Sequence, residues 1–229
     1  MTKSLPVVFL ACKVFVGLIE SRLSSDNNIS YRYLDYGLHS IPKKLSQAVQ
    51  EEIDKVEEPS LIVMGYGLCG NGLNEINSGK HTLVIPKADD CIAIFMGSRE
   101  KYLEQFTSNP ATYYLTKGWL EVGADPLSEY EQYREKYGEE KAKYVMTLQY
   151  KNYKRLVFVA YRSDDFIDYG PRAREVAEFC QQWGMVYEEY LGSDEFLIQI
   201  GNALKSTGSF PPEFVVVPPG ETSSQAAFL

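Results

Sequence analysis

Four cysteines stand in this chain of 229 residues: Cys12, Cys69, Cys91 and Cys180. Three of them occupy settings where a thiol can do chemistry. Cys69 lies within "GYGLCGNGLN", Gly65 to Asn74, where four glycines surround one cysteine just after the apolar run Leu61–Met64. Cys12 closes the apolar run "LPVVFLAC", and Cys91 follows "HTLVIPKADD". These are the places where strands end. In an open parallel sheet, sites form beyond the carboxyl ends of the strands. A sheet order 2-1-3-4 makes the three cysteine-bearing strands neighbours, ~4.8 Å apart. Loops can then bring the thiols to one soft metal ion. Zinc needs Zn–S bonds of ~2.3 Å, which draws sulfurs to roughly 4 Å, and the glycines give the backbone freedom to fold Cys69 inward.

His39, in "GLHSIP" just past the second strand, completes a Cys-Cys-Cys-His set. His81 opens the fourth strand at the opposite edge and is not favoured as a ligand. The expected cofactor is zinc; an iron–sulfur cluster on three cysteines, with one open iron, is the alternative. No CxxC pair accompanies these residues, and a free cysteine often behaves as a small buried hydrophobe. Cys180 is read that way, because it shares a helical stripe with Val176, Phe179 and Trp183.

The glycines also admit a second reading, an anion nest of backbone N–H groups for phosphate or carboxylate. The loop is neither a P-loop nor GxGxxG. The two readings are compatible: Tyr66, Gly67, Gly70, Asn71, Gly72 and Asp90 would hold a small-molecule ligand beside the metal. Thr116, Lys117 and Trp119, from "TYYLTKGW", would line the cleft from the middle of the chain. With only two histidines, and no nucleophile motif near either, no serine–histidine–acid triad can be argued.

The elements that must position these groups alternate. "LPVVFLAC" is followed by Phe15, Leu18, Ile19 and Leu23 at helical spacing, then by "ISYRYLDY" with Ile29, Tyr31 and Tyr33 alternating. "SIPKKLSQAVQEEIDKV" sets Ile41, Leu45, Val49, Ile53 and Val56 on one helical face, with Ser40 as a cap and Pro42 in the first turn. "LIVMGYG" and "HTLVIP" complete four strands. This alternation predicts an α/β fold with parallel sheet covered by helices. The C-terminal part reads in the same order: "RLVFVAYR", the helix "PRAREVAEFCQQWG", "MVYEEYL", a helix near "GSDEFLIQIGNAL", and "EFVVVPPGE". Two quasi-repeated β-α-β-α-β halves are therefore expected, Leu5–Asn74 matching Arg155–Glu221, with Cys12 over Tyr161 and Gly67 over Gly220.

The expected organisation is an N-terminal half over 1–90, a helical segment over 91–154 and a C-terminal half over 155–229. In the middle segment "CIAIFMGSREKYLEQF" reads as a helix. A helical pair broken near Gly138 follows, capped by Asp125 with Pro126 in its first position. Tyr130, Tyr133 and Tyr137 form a stripe expected to pack on the sheet or on a second copy, so the chain is a candidate homodimer.

The net charge is −8 and apolar residues make up 45% of the chain. The acidic balance excludes a sequence-independent nucleic-acid binder, which needs a basic face, and disfavours an anionic membrane surface. Widely spaced cysteines in a chain this size point to free thiols in a reducing, cytoplasmic setting. "LPVVFLAC" after Lys3 imitates a short lipoprotein signal, but a buried first strand is the better reading. No stretch is long enough to span a membrane.

The pieces "ACKVFVGLIE", "LHSIP", "YGLCGNG", "IPKADDCIAIFMGS", "YYLTKGW" and "RLVFVAY" resemble an uncharacterised family, the domain of unknown function 1638. "YGLCGNG" and "DCIAIFMGS" are its specific parts. The resemblance supplies no reaction. It implies that Cys12, His39, Cys69 and Cys91 fall in motif positions, and that the protein is associated with corrinoid-dependent methyl transfer, with a corrinoid protein as partner. Where some members carry a histidine before the aspartate–cysteine pair, this chain has Asp89. Combined with the residue reading, the expectation is a zinc protein that activates a thiol for methyl or alkyl transfer. The alternatives are a non-catalytic metal- or corrinoid-system accessory protein and an iron–sulfur protein.

Overall fold

The computed structural model describes residues 5–22, 28–206 and 208–228; Lys3 and Leu23 lie outside the described residues. In chain order the elements are β1 (Val7–Cys12), β2 (Ile29–Leu34), α1 (Pro42–Asp54), β3 (Leu61–Gly65), β4 (Thr82–Pro86), α2 (Cys91–Met96) and α3 (Arg99–Ser108). Then follow β5 (Thr112–Leu115), α4 (Lys117–Glu121), α5 (Pro126–Tyr137), α6 (Glu139–Tyr150), β6 (Arg155–Ala160) and α7 (Asp164–Asp168). The chain continues through α8 (Gly170–Cys180), β7 (Val186–Leu191), α9 (Glu195–Leu204) and β8 (Phe214–Val217). Between β1 and β2, where one helix is expected, stand two 3-10 turns, Lys13–Phe15 and Glu20–Arg22, separated by Gly17 at φ 77°. That backbone conformation does not continue a right-handed helix. Gly97, at φ 84°, likewise divides the expected single helix after Cys91 into α2 and α3.

The chain forms two compact units. The first holds residues up to Arg99 together with those from Asp194 onward. Its sheet runs β2-β1-β3-β4-β8; β2, β1, β3 and β4 are parallel, and β8 is antiparallel to β4. The order 2-1-3-4 is thus the one expected. Every residue of β3 is buried, as a parallel strand covered on both faces requires. Phe9, Ile62, Val63, Leu83, Val84 and Ile85 are wholly inside, and α9 packs on β1 and β3. Leu45, Val49 and Ile53 of α1 are buried, as their helical spacing demands. Pro42 opens α1 as expected, but Ile41, not Ser40, takes the cap position. Val8–Cys12 is buried strand, in accord with the strand reading of "LPVVFLAC".

The second unit, Glu100–Ser193, carries a three-stranded parallel sheet β5-β6-β7. Arg155 ties its amino-terminal side together, bonding Thr112, Gln105 and Glu188 at 3.0, 3.0 and 2.9 Å. The core includes Leu115, Met146, Leu156, Phe158, Val176 and Cys180. Cys180 is fully buried there, which is the packing role expected of it. Asp125 caps α5 by accepting from Leu127 and Ser128 N–H, and Gly138 (φ 83°) separates α5 from α6. The tyrosine stripe divides: Tyr130 and Tyr133 pack against the core, while Tyr137 is half exposed.

Two expectations are corrected. The halves share one pair of parallel neighbouring strands, joined by 3-10 turns in the first and by helices in the second, and do not repeat beyond it. β1–β2 and β6–β7 are both parallel neighbours, but the third strand of the C-terminal half, β8, does not join β6 and β7; it pairs in the first sheet, antiparallel to β4. Periodicity reports burial of "FVVV" and carries no information about strand direction. Nor do the boundaries 1–90, 91–154 and 155–229 follow the compact units: the middle segment supplies β5 to the second sheet, and the last 36 residues return to the first unit. Among the described residues no helix is long and apolar enough to cross a membrane.

Candidate functional site: a three-thiol edge

Cys12 is the last residue of β1, Cys69 follows β3 by four positions, and Cys91 is the first residue of α2, just past β4. All three belong to the first unit, at the carboxyl ends of adjacent parallel strands. Cys12 and Cys69 are buried and Cys91 is half-buried. Burial pushes the Cys12 thiol up to about 11; the Asp35 carboxylate adds to the rise, while the Val14 and Lys13 backbone N–H groups and the Lys13 ammonium oppose it. Burial raises the Cys69 thiol too, followed by the Asp90 carboxylate and Cys12, against backbone N–H donors from Gly67 and Cys91. The Cys91 thiol is raised well above its ordinary value by burial, Asp90, Cys69 and Cys12, with its own N–H opposing. The surroundings of each thiol therefore favour its neutral form, burial outweighing the opposing backbone N–H groups.

The loops that carry them are fastened together. Leu68 N–H donates to Ala88 C=O and Cys69 N–H to Asp89 C=O, both at 2.8 Å. Gly67 permits this approach: a β-carbon there would stand 2.7 Å from the Ala88 oxygen and 2.9 Å from Asp90 N and Cα. Cys69, Gly70 and Asn71 then run consecutively at φ 48°, 63° and 72°. The left-handed region costs a non-glycine residue about 1–2 kcal/mol. A cysteine held there signals that its direction matters more than its comfort.

Asp90 caps α2, accepting from Ile92 and Ala93 N–H at 2.8 and 3.4 Å. Asp89 is engaged by Arg99, at 3.0 and 3.3 Å. Tyr66 is 3% exposed, and its phenolic oxygen is buried without a hydrogen-bond partner. Burial raises its pKa most, followed by the charges of Cys12, Cys69, Cys91 and Asp35. His39 is exposed, its Nδ1 hydrogen-bonded to the Tyr36 carbonyl, and it is not among the principal groups acting on any of the thiols.

The anion-nest reading loses much of its material here. The N–H groups of Leu68, Cys69, Gly72 and Leu73 are all spent on protein carbonyls. Gly72 serves packing, with Leu45 where its β-carbon would go. Asn71 lines a polar surface groove with Pro42, Lys43, Gln47 and Glu75.

Thr116, Lys117 and Trp119 lie in the second unit and form a constellation of their own. Lys117 Nζ stands 3.5 Å from Asp165 Oδ1 and 4.7 Å from the Tyr161 ring centroid. Thr116 Oγ1 and Asp165 Oδ2 are buried without partners, and Trp119 packs against the core. The sequence reading missed Asp35 and Asp165. Both follow strands, β2 and β6, so the carboxyl-edge rule that selected Cys12 applies to them equally.

The donor set is three thiols with two carboxylates nearby, a soft and anionic set suited to a thiophilic cation. Among the described residues, no group of three or more Cys, His, Asp or Glu side chains is placed to hold a metal ion.

Fold and edge together define an α/β chain with three thiols at the carboxyl edge of its first sheet. A family model described as "Protein of unknown function (DUF1638)" matches residues 33–200, and the chain belongs to that family. The matched span holds His39, Cys69 and Cys91 and begins downstream of Cys12. No curated protein and no solved structure matches the chain.

Proposed function

We propose that Cys12, Cys69 and Cys91 are the protein ligands of one soft metal ion, zinc, with a further position open to a small thiol. One observation carries this reading. Three thiols, two buried and one half-buried, stand at the carboxyl edge of one parallel sheet, and the principal charges acting on them are two carboxylates and the single cation Lys13. Such an edge holds its sulfurs protonated for want of positive charge, the deficit that a bound cation would make good. When bound, zinc would supply Lewis acidity that lowers the pKa of a ligand thiol, preparing it to accept a methyl or alkyl group. The chain's own part is to hold the sulfurs, direct N–H groups at them and screen them from water. The link to corrinoid-dependent transfer rests on the family resemblance.

A second reading places an iron–sulfur cluster on the same three thiols, with one iron open. A cluster spans more widely separated sulfurs than one ion does. Metal and sulfide analysis of anaerobically purified protein separates the two. About one zinc per chain, lost in Cys69→Ser, supports the first; iron with equivalent sulfide supports the second; neither metal sinks both.

A further inference from the structure

The second unit holds an ion pair whose hydrogen bonding is incomplete. Thr116 and Lys117 follow β5 and Tyr161 follows β6, and these strands are parallel neighbours in register from Thr112↔Arg155 to Leu115↔Phe158. The three residues therefore stand together at the carboxyl edge of the second sheet, the edge at which open α/β sheets take their ligands. Asp165, in α7, turns Oδ1 to Lys117 Nζ at 3.5 Å, which is long for such a bond. The Lys117 ammonium lies over the Tyr161 ring, 4.7 Å from its centroid, and 6.0 Å from the centroid of Tyr169. A buried ion pair repays its desolvation only when further hydrogen bonds satisfy the remaining lone pairs. Here they are missing: the Asp165 side chain is 7% exposed and its Oδ2 has no partner, nor has Oγ1 of Thr116, a residue 1% exposed. Glu121 is engaged by the Tyr169 O–H and Asp164 by Arg162. Lys117, its side chain 18% exposed, is the cluster's opening to solvent.

We propose that this edge binds the zwitterionic head of a small α-amino acid. The ligand's ammonium donates to Asp165 Oδ2, and its carboxylate accepts from Lys117 and from the Thr116 O–H. The ligand class follows from the charges. A cation and an anion side by side are matched by a ligand that carries the opposite pair side by side, and every bond it makes there is charge-assisted. A simple anion meets Asp165 beside Lys117 and is repelled by it; a simple amine meets Lys117. A neutral polyol brings no charge to either. The Tyr161 and Tyr169 rings add faces that attract an ammonium group. The site lies within the second unit, shares no residue with the thiol edge and does not depend on a metal there.

Glycine, the smallest such zwitterion, is the probe, titrated into the full chain and followed by NMR at the Lys117 and Gly118 amides. Wild-type protein should show saturable shifts there. Acetate, glycinamide and glycerol, which carry one charge or none, should need ~10-fold or higher concentrations, the loss expected for one charge-assisted hydrogen bond. Thr116→Val should bind glycine ~10-fold more weakly. Without glycine it should melt no lower than wild type, because the hydroxyl it removes has no partner within the chain. Lys117→Met combined with Asp165→Leu exchanges the ion pair for apolar groups, and should stay folded and lose glycine binding. The absence of a saturable glycine shift in wild type overturns the proposal. So does equal binding of acetate, glycinamide or glycerol, or glycine binding that survives the double replacement. A glycine-free Thr116→Val that melts lower than wild type overturns it as well, since the hydroxyl would then be structural.

Discussion

Replacing Gly67 by alanine tests whether the thiol edge depends on the close fastening of two loops. The new β-carbon would meet the Ala88 oxygen at 2.7 Å, where ordinary contact begins at 3.4 Å. The obstacles are backbone atoms of Ala88 and Asp90, which cannot rotate away as a side-chain tip can. The loops must therefore part by roughly 0.7 Å, a displacement that overpacking studies associate with 1–3 kcal/mol. Two hydrogen bonds cross that line, Leu68 N–H to Ala88 C=O and Cys69 N–H to Asp89 C=O, each 2.8 Å long. The same displacement stretches both to the limit of hydrogen bonding, worth about 1 kcal/mol apiece. The total expected loss is about 3–5 kcal/mol, concentrated in the loops. Gly72→Ala is the control, because its closest obstacle at 2.7 Å is Leu45 Cδ2, the end of a side chain that can turn. That change should cost about 1 kcal/mol or less. Hydrogen exchange at the Leu68 and Cys69 amides, with thermal melting alongside, reads the difference. Gly67→Ala should lose protection at both amides and bind zinc more weakly, while Gly72→Ala keeps both. If the two variants melt together with both amides still protected, the loops are not held as argued.

Three other outcomes are expected. Cys69→Ser should lose most of the bound metal with the fold intact, whereas Cys180→Ser should keep the metal and lose roughly 1–3 kcal/mol through a buried hydroxyl, read by metal analysis and urea unfolding; the reverse pattern would remove the thiol edge from consideration. In metal-free protein Cys12 titrates near 11 against ~8.5 for an unfolded thiol. A folded value above the unfolded one means stability that is complete below ~8.5 and lost as pH climbs toward 11. Urea unfolding across that window should show a decline that shrinks in Cys12→Ala, and identical slopes would count against the burial of this thiol. Lys117→Met should cost about 3–5 kcal/mol by stranding the buried Asp165 carboxylate, and adding Asp165→Leu should restore most of it; a mild single variant would mean that Lys117 does not neutralise Asp165.

What the chain made legible was the edge, because that inference needs only the positions of strand ends. The parallel runs at Val7–Cys12, Leu61–Gly65 and Thr82–Pro86 are continuous and apolar, so their ends are sharp, and each is followed closely by a cysteine. Strand direction was not legible: "FVVV" is apolar enough to lie in either sense, and its antiparallel place beside β4 is set by distant contacts. Ser78 Oγ–H to Pro218 C=O (2.7 Å) and Ser223 Oγ–H to Leu73 C=O (2.7 Å) sew the C-terminal segment to the loops around β4. No local pattern announces such bonds across 140 and 150 residues. The same limit applies to Tyr66: its place in the glycine loop is plain from the sequence, but the burial of its phenol without a hydrogen-bond partner is not. That is a property of three-dimensional enclosure by Gly65, Gly67 and the loop of Cys91, not of sequence. A glycine-rich loop is usually read as freedom; here Gly65 and Gly67 are positions where no β-carbon fits without something shifting. The loop is held tightly, and Cys69 is held in a backbone region that a cysteine seldom occupies. The chain gives up local stability at Cys69, at the carboxyl edge of the first sheet where Cys12 and Cys91 also stand.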